Sequence, residues 1–289
     1  MEEFPHGILL AWSFPVVPAA GLVLAGALYL RGWRALQRTR AKELPLWRAI
    51  CFFAGLLSIW IALASPIDAL DDFILSAHMI QHFILMSVAP PLLVLGAPIV
   101  PLLRGLPRAL VRGLRPLFAA RWLHRTAHAV ARPIVAWLAM NIAYLGWHIP
   151  PAFELTLHSE AWHNFEHLTF LFTSIAFWWI VIEPWPARAR RSSSSRWMVI
   201  PYLLSADVVN TILSAVLTFS GKVLYPSYAA AERLFRYTPL QDQTLAGAEM
   251  WVLNSTVFLV PVAVIVFDLL SPRALRDSER DLNGTYARS

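Results

Sequence analysis

Apolar residues occur along this chain in long runs that polar or charged segments separate. A helix that crosses the hydrocarbon core of a bilayer needs about 20 predominantly apolar residues. Seven runs approach or reach this length. They extend roughly from Ile8 to Leu30, Leu46 to Ala64, Phe73 to Leu95, Pro133 to His148, His163 to Ile182, Met198 to Ser220 and Met250 to Leu270. The pattern predicts an all-α fold, a polytopic membrane bundle of seven transmembrane helices in which residues 1–289 form a single domain.

Two consecutive prolines, Pro90 and Pro91, lie inside the third run. A proline lacks a backbone donor, and its ring clashes with the preceding turn of a helix. The pair is therefore expected to kink or break the third helix, and the segment is expected to continue as a second piece to Leu103.

The positive residues predict the orientation of the bundle, because Lys and Arg near the ends of membrane helices are retained in the cytoplasm. Of the 24 Lys and Arg residues, 21 fall in four segments that alternate with the other connections. These segments are Arg31 to Arg48, Arg104 to Arg132, Arg188 to Arg196 and the tail after Leu270. The connections at the other end of the helices are acidic or neutral. Both signals predict an N-terminus outside and a C-terminus in the cytoplasm.

The composition of the chain excludes a water-soluble globule, since 57% of its residues are hydrophobic and only 15% are charged. The net charge of +6 is spread over the connections of one membrane face, so the expected partner is membrane lipid and not nucleic acid. The basic segment at about 102–132 alternates Arg with apolar residues and is expected to form an amphipathic helix on the cytoplasmic leaflet. With one cysteine, Cys51, the chain has no internal disulfide and no thiolate cluster, so a metal would need other ligands.

Histidines lie near the predicted outer ends of three helices. His78 and His82 are four residues apart in the third helix and share one face, and His163 and His167 repeat this spacing in the fifth. His148 closes the fourth. All five are predicted at one level of the membrane. One interpretation is that they converge on a metal site, because imidazole suits copper, zinc, iron or nickel. The other is that each is a polar anchor at the interface.

Residues near the histidines extend the metal interpretation. Met79, Met86 and Met250 would add thioethers favourable to Cu(I), although methionine in a helix more often fills a core. Glu166 lies beside the second pair and is expected to orient an imidazole by hydrogen bonding.

The sixth run carries a polar stripe at helical spacing that consists of Asp207, Asn210, Thr211, Ser214 and Thr218. It is compatible with a water-lined path or a proton acceptor for the histidine site. It is equally compatible with hydrogen bonds that hold Asp207 and its helix within the bundle. The motifs of nucleotide enzymes and common hydrolases do not occur in the sequence, so it supports neither a nucleotide enzyme nor a standard hydrolase.

Five segments in order along the chain resemble the CtaG family of cytochrome c oxidase assembly factors, the seven-helix kind of the caa3-type oxidases. The segments are His78–Pro98, Trp147–Phe153, His163–Phe170, Leu224–Ala229 and Pro239–Trp251. The chain departs from the family pattern at Glu249 and at residues 253–255, where Leu, Asn and Ser replace a Pro-Gly-Gly-like sequence.

The resemblance implies a non-enzymatic factor of the bacterial cytoplasmic membrane that matures a haem–copper oxidase. We expect it to hold copper, as Cu(I), on outer-facing histidines and to pass it to an oxidase subunit by ligand exchange. The expected ligands are His78, His82, His163 and His167, with His148 as a shared or alternate ligand. Asp242, Gln243 and Met250 match the family motif and are expected to form a lid or an access path.

Two alternatives remain open at this stage. A membrane protein that binds haem through two histidines is one, since histidines on facing helices are also haem ligands. A transporter with a polar path along Asp207 is the other.

Overall fold

The computed structural model describes residues 11–182, 197–234 and 236–271, and every regular element in these ranges is helical. The first half contains α1 (Val16–Arg40), α2 (Leu46–Ala64), α3 (Pro66–Leu70), α4 (Leu75–Phe83), a π-helical segment (Ile84–Val88), α5 (Ala89–Leu95), α6 (Ile99–Gly105), α7 (Arg108–Phe118) and α8 (Arg121–Val130). The second half contains α9 (Pro133–Trp147), α10 (Pro150–Leu157), α11 (Glu160–Ile182), α12 (Val199–Phe219), α13 (Pro226–Ala230) and α14 (Pro239–Leu270).

Six helices in the described ranges are long and apolar enough to cross a membrane. They are Val16–Arg40, Leu46–Leu70, Leu75–Leu95, Glu160–Ile182, Val199–Phe219 and Pro239–Leu270. A seventh candidate arises when α8 and α9, which meet at an angle of 73°, are counted together. The all-helical, membrane-type architecture is therefore confirmed. The predicted fourth helix is the exception, because α9 alone has 15 residues and is shorter than a full span.

The first helix is displaced along the chain from its predicted position. It begins at Val16 and continues to Arg40, whereas the prediction ended at Leu30. The predicted start at Ile8 lies outside the described residues. The helix continues past its apolar part because Arg, Ala, Leu and Gln are all good helix formers, so hydropathy ends before the helix does.

The last helix begins at Pro239 instead of the predicted Met250. Its start is a capping box, in which the Thr238 hydroxyl accepts from the amide of Gln241 and the Gln241 side chain accepts from the amide of Thr238. The additional turns are rich in polar residues, and hydropathy therefore assigned them to a loop. The connection between α9 and α11, also predicted as a loop, contains α10.

The two prolines of the third span do not break it. The π-helical segment Ile84–Val88 lies immediately before them, and the span continues to Leu95. Pro90 has no N–H for the carbonyl of Met86 four residues earlier, and Trp178 of α11 donates its Nε1–H to that carbonyl over 3.2 Å. The freed backbone acceptor is thus satisfied inside the bundle, as an apolar environment requires. The second piece is present as α6, after a turn at Ala97.

Two apolar cores hold the helices together. The larger core contains side chains of α4, α9, α11, α12 and α14, including Met79, Phe170 and Phe177. The smaller core joins α1, α2 and α5 around Tyr29 and Phe52, whose rings stack with their centroids 3.9 Å apart. The most extensive contact between two helices is that of α12 with α14, and α11 packs against both α5 and α9.

The helices α7 and α8 have a basic face and an apolar face, and no described side chain of either helix is buried. Large apolar side chains on them are exposed, among them Leu110, Leu117 and Trp122. Within the described residues, the apolar face of these two helices therefore has no protein core to pack against.

Glycine allows the backbones of α1 and α6 to touch. A Cβ added to Gly32 would overlap the carbonyl oxygen of Pro101, and one added to Gly105 would overlap the carbonyl oxygen of Leu28. Small residues of this kind permit close packing of membrane helices, where backbone contacts replace side-chain interdigitation.

We therefore expect Gly32→Ala to separate α1 from α6 and to destabilise the protein by about 1–3 kcal/mol or more, as overpacking does. Gly21→Ala is the matched control on the same helix, because nothing lies within 4 Å of a Cβ at that position. The midpoint of thermal unfolding in detergent measures both effects. Equal midpoints for the two variants would contradict the close contact.

Candidate metal centre

The site begins with the way in which α4 is held. Its preceding residue, Ile74, provides no capping side chain, and the acceptor comes from α14 instead. The Asp242 carboxylate accepts hydrogen bonds from the Leu75 amide at 2.6 Å, the Ser76 amide at 3.2 Å and the Ser76 hydroxyl at 2.6 Å. A carboxylate at this position also interacts favourably with the dipole of the helix. This contact fixes the start of α4 and with it the depth of His78 and His82.

The two histidine pairs face each other across the bundle. The ring centroids of His78 and His163 are 5.1 Å apart, and those of His82 and His167 are 5.5 Å apart. The ring of His148, at the end of α9, lies 6.1 Å from that of His82. The structure thus brings together all five histidines that the sequence analysis selected.

The ligand atoms of four side chains lie within 4.8 Å of one another: those of His78, His82, His163 and Glu166. Glu166 is fully buried, and its Oε1 is 3.7 Å from His82 Nε2. The ligands of a tetrahedral ion with bonds of about 2.1 Å are roughly 3.4 Å apart, so the side chains would have to close by up to roughly 1.4 Å. This difference is within the reach of small rotamer changes.

Polar atoms without hydrogen-bond partners are concentrated at this place. Both ring nitrogens of His78 and His82, both carboxylate oxygens of Glu166, and Nε2 of His163 and His167 are buried without a hydrogen bond of normal geometry. An unsatisfied buried polar group costs about 1–3 kcal/mol, and native proteins rarely accumulate them. Nitrogen and oxygen lone pairs that converge without donors fit a bound cation.

Glu166 is closer to the histidines than the sequence analysis expected. It was expected to orient an imidazole, and the structure places its carboxylate among the candidate ligand atoms themselves. His148 and His167 lie beside His82 but outside that group of four. The Nδ1 of His148 is 2.7 Å from the carbonyl oxygen of Tyr144, which makes Nδ1 the donor and leaves the lone pair of Nε2 available.

Aromatic rings pack against the histidine cluster. The Phe153 ring of α10 lies 4.9 Å from that of His78, and the Phe170 ring of α11 lies 4.8 Å from that of His82. Both phenylalanines are fully buried. They keep water away from the imidazoles and lower the local dielectric, which strengthens the interaction of these ligands with a cation.

Asp71 is a site residue that sequence analysis missed. Its Oδ2 is buried without a hydrogen-bond partner and lies 3.8 Å from His163 Nε2. Burial, and then the nearby carboxylates of Asp68 and Asp72, raise the pKa of Asp71 to about 8. The sequence feature that pointed to this region is the group of Asp68, Asp71 and Asp72, which directly precedes the helix with the first histidine pair.

The other selected residues make structural hydrogen bonds. Asp207 accepts from the Ser255 hydroxyl at 2.7 Å and so links α12 to α14, which agrees with the helix-holding interpretation of the polar stripe. The Gln243 side chain accepts from the Leu224 amide and donates to three acceptors in the last turn of α12 and in the connection that follows it. Met250 is buried in the larger core. These contacts, like those of Asp242, do not resemble those of a mobile lid.

A second buried polar network lies around a small cavity next to the histidine site. The Tyr144 hydroxyl donates to Asn210 Oδ1, the Asn254 amide donates to the same atom, and the Ser87 hydroxyl donates to Asn254 Oδ1 over 2.6 Å. It joins α9, α12, α14 and the π-helical segment. Asn254 is one of the departures from the family pattern, so the altered part of the last helix contributes to this network.

Apolar helices of membrane length and a buried group of imidazoles and carboxylates define an integral membrane protein with a candidate site for a transition-metal cation. The chain belongs to the cytochrome c oxidase caa3 assembly factor family (Caa3_CtaG), whose family model matches residues 27–271. The resemblance carried by the motifs is therefore confirmed.

The chain is also similar to uncharacterized proteins of mycobacteria. It is 27% identical to proteins of Mycobacterium bovis and Mycobacterium tuberculosis over 280 residues, which are 93% of this chain and 40% of each relative. It is 23% identical to a protein of Mycobacterium leprae over 296 residues, which are 96% of this chain and 42% of that relative. The chain therefore spans less than half the length of these curated relatives. No solved structure matches it.

Replacement of Asp242 by Ala should destabilise the protein by about 1–3 kcal/mol, because the amides at the start of α4 would lose their acceptor in a buried place. Thr244→Ala is the control, since Thr244 is exposed two residues away and its hydroxyl bonds within its own helix to the Leu240 carbonyl. Thermal unfolding in detergent measures the difference. An Asp242→Ala variant as stable as Thr244→Ala would show that the cap is not needed.

Proposed function

We propose that this protein is a non-enzymatic assembly factor that binds copper in the membrane and delivers it to a subunit of a haem–copper cytochrome c oxidase. The observation that supports the proposal is the buried group of His78, His82, His163 and Glu166, whose ligand atoms converge without hydrogen-bond partners. The proposed role in oxidase assembly follows from the family to which the chain belongs, that of cytochrome c oxidase caa3 assembly factors.

The donor set favours a transition metal over calcium or magnesium. Those two cations take oxygen ligands, whereas three imidazoles and one carboxylate suit copper, zinc, iron or nickel. The choice of copper rests on the oxidase whose assembly the family serves. The choice of Cu(I) rests on the buried thioethers of Met79 and Met86 in the same span, which would stabilise a soft cation if they approached it.

Delivery requires that the protein bind copper and still release it. His148 and His167 adjoin His82 outside the primary group, and each has an Nε2 without a partner. They can take the place of a primary ligand one bond at a time, so that the cation never loses all its ligands at once. His163, whose side chain is 20% exposed, is the most accessible of the four primary residues and the natural side for release.

The geometry disfavours the haem alternative. The imidazoles of the two helices contact each other ring to ring, and Phe153 and Phe170 fill the adjacent space. A porphyrin is far wider than an imidazole and would need a slot between the helices. The transporter alternative loses its support at Asp207, whose carboxylate bonds to Ser255 of a neighbouring helix.

For the membrane arrangement, we propose a single domain of seven spans in the bacterial cytoplasmic membrane, with α9 as the fourth span and α8, which meets α9 at 73°, on the membrane surface. The histidine end of the bundle faces outward and the C-terminus is cytoplasmic. The basic last turn of α1 and the arginines of α6, α7 and α8 support this orientation. The exposed apolar faces of α7 and α8 would then contact the acyl chains of the cytoplasmic leaflet, and the arginines of these helices would contact anionic headgroups.

Reporter fusions test the orientation. A reporter fused after Ser289 should be cytoplasmic, and one inserted in the connection from Ile149 to Ala161 should be external, because 21 of the 24 positive residues lie on the other side from that connection. Paired alkaline phosphatase and fluorescent protein fusions report the two sides independently. Opposite labelling at either position would reverse the proposed topology.

Copper titration tests the site. His82→Ala and Glu166→Gln should each lower the affinity for Cu(I) by at least about tenfold, since each removes a ligand from the buried group. His158→Ala is the matched control, because this histidine is exposed and its Nδ1 contacts the Glu154 carbonyl in α10. Competition with a chromophoric Cu(I) chelator gives the affinities.

The same variants connect binding to oxidase assembly. Cells that carry His82→Ala with His167→Ala should accumulate an oxidase that contains haem and lacks copper, and added copper should restore part of its activity. Metal analysis and haem spectra of the purified oxidase separate the two cofactors. A fully copper-loaded and active oxidase in these cells would exclude delivery through this site.

A further inference from the structure

Asp71 lies in the turn directly after α3, and its side chain approaches the buried histidines. Asp71 is only 3% exposed, and its Oδ2 has no hydrogen-bond partner. This oxygen lies 3.8 Å from Nε2 of His163, which also has no hydrogen-bond partner. The Tyr228 hydroxyl of α13 donates to the Asp71 carbonyl over 2.7 Å and holds the backbone of this turn in place. A fixed carboxylate oxygen is thus aimed at the most accessible histidine of the cluster.

The two neighbouring acids differ from Asp71. Asp68 accepts hydrogen bonds from the Gln81 amide at 3.0 Å and the Ser13 hydroxyl at 3.3 Å, so its carboxylate is engaged in the packing of the helix ends. Asp72 is exposed. Of these three acids, Asp71 therefore combines burial, an unpartnered oxygen and proximity to an imidazole.

The chemistry of this pair suits brief binding. A carboxylate is a hard ligand, and copper, above all Cu(I), prefers imidazole and thioether. One oxygen and one nitrogen would hold such a cation more weakly than the deeper group of His78, His82, His163 and Glu166. His163 belongs to both sets, so a cation bound beside Asp71 is already attached to one residue of the deeper group.

We propose that Asp71 is the access ligand of the site, which receives the cation from outside together with His163 and then gives it up to the deeper ligands. In the transfer, the bond to the Asp71 carboxylate is replaced by bonds to His78, His82 and Glu166, while His163 stays bound. No electron is transferred. The cation displaces the proton that burial favours on the Asp71 carboxyl group, and this group takes up a proton again when the cation moves to the deeper ligands. This inference rests on the proposed copper-binding function.

Uptake kinetics distinguish an access ligand from a permanent one. The purified full-length protein in nanodiscs is mixed with Cu(I) bound to bicinchoninate, and the loss of the complex's absorbance gives the rate of uptake. The copper retained at equilibrium is measured separately. Asp71→Asn should slow uptake by about tenfold or more, because it removes the carboxylate oxygen that first receives the cation, and should leave the copper retained at equilibrium unchanged. Asp72→Asn, the same substitution at the adjacent exposed position, should change neither quantity.

The other results overturn the inference in separate ways. Uptake by Asp71→Asn as fast as wild type would remove Asp71 from the path, and equal slowing in Asp72→Asn would reduce the effect to overall charge. Loss of equilibrium binding in a folded Asp71→Asn protein would make Asp71 a permanent ligand. Wild-type protein that binds no copper would contradict the proposed function itself. If Asp71→Asn does not fold, Asp71→Ser takes its place with the same expected results.

Discussion

The carboxylate of Asp242 is the contact on which the histidine site depends. It accepts three hydrogen bonds from Leu75 and Ser76 at the start of α4, across a sequence separation of up to 167 residues. In an apolar environment the first amides of a helix need an acceptor from the protein, and here α14 supplies it. Because His78 and His82 follow within two turns, their height relative to α11 is set by a residue of another helix. The last helix thus positions the face that carries the candidate metal ligands without contributing to the group of four.

Hydropathy predicted the helical class and most of the spans because the long apolar runs have no other stable location. It failed where polar residues are satisfied by the protein instead of by water. Asp242 and Gln243 form buried hydrogen bonds in the first turns of α14, and a scale that counts them as hydrophilic starts the helix too late in the sequence. The fourth span is a failure of a different kind, since the bend between α8 and α9 cannot be read from the number of apolar residues.

The spacing of the histidines predicted their shared faces, because residues four apart on a helix project in nearly the same direction. That these faces meet was an inference from their matched depth, and the ring distances agree with it. Glu166 was predicted only to orient an imidazole. Whether its carboxylate lies among the candidate ligand atoms depends on the rotation of α11 relative to α4, which the sequence does not show. The sequence shows an acidic group before α4 but does not distinguish Asp71 from Asp68 and Asp72. The position of Asp71 follows from the turn after α3 and from the Tyr228 hydroxyl, both of which are contacts between distant parts of the chain.

The π-helical segment Ile84–Val88 changes how the third span should be viewed. A π-turn accommodates one extra residue, and each residue in a helix corresponds to a rotation of about 100°. The half that carries His78 and His82 is therefore out of phase with the half that carries the two prolines. If the span were a continuous α-helix, only one of its two halves could face the helices that it now contacts. The irregular turn lets a single span present its imidazoles to α11 at one level and pack Leu93 against the smaller core at another.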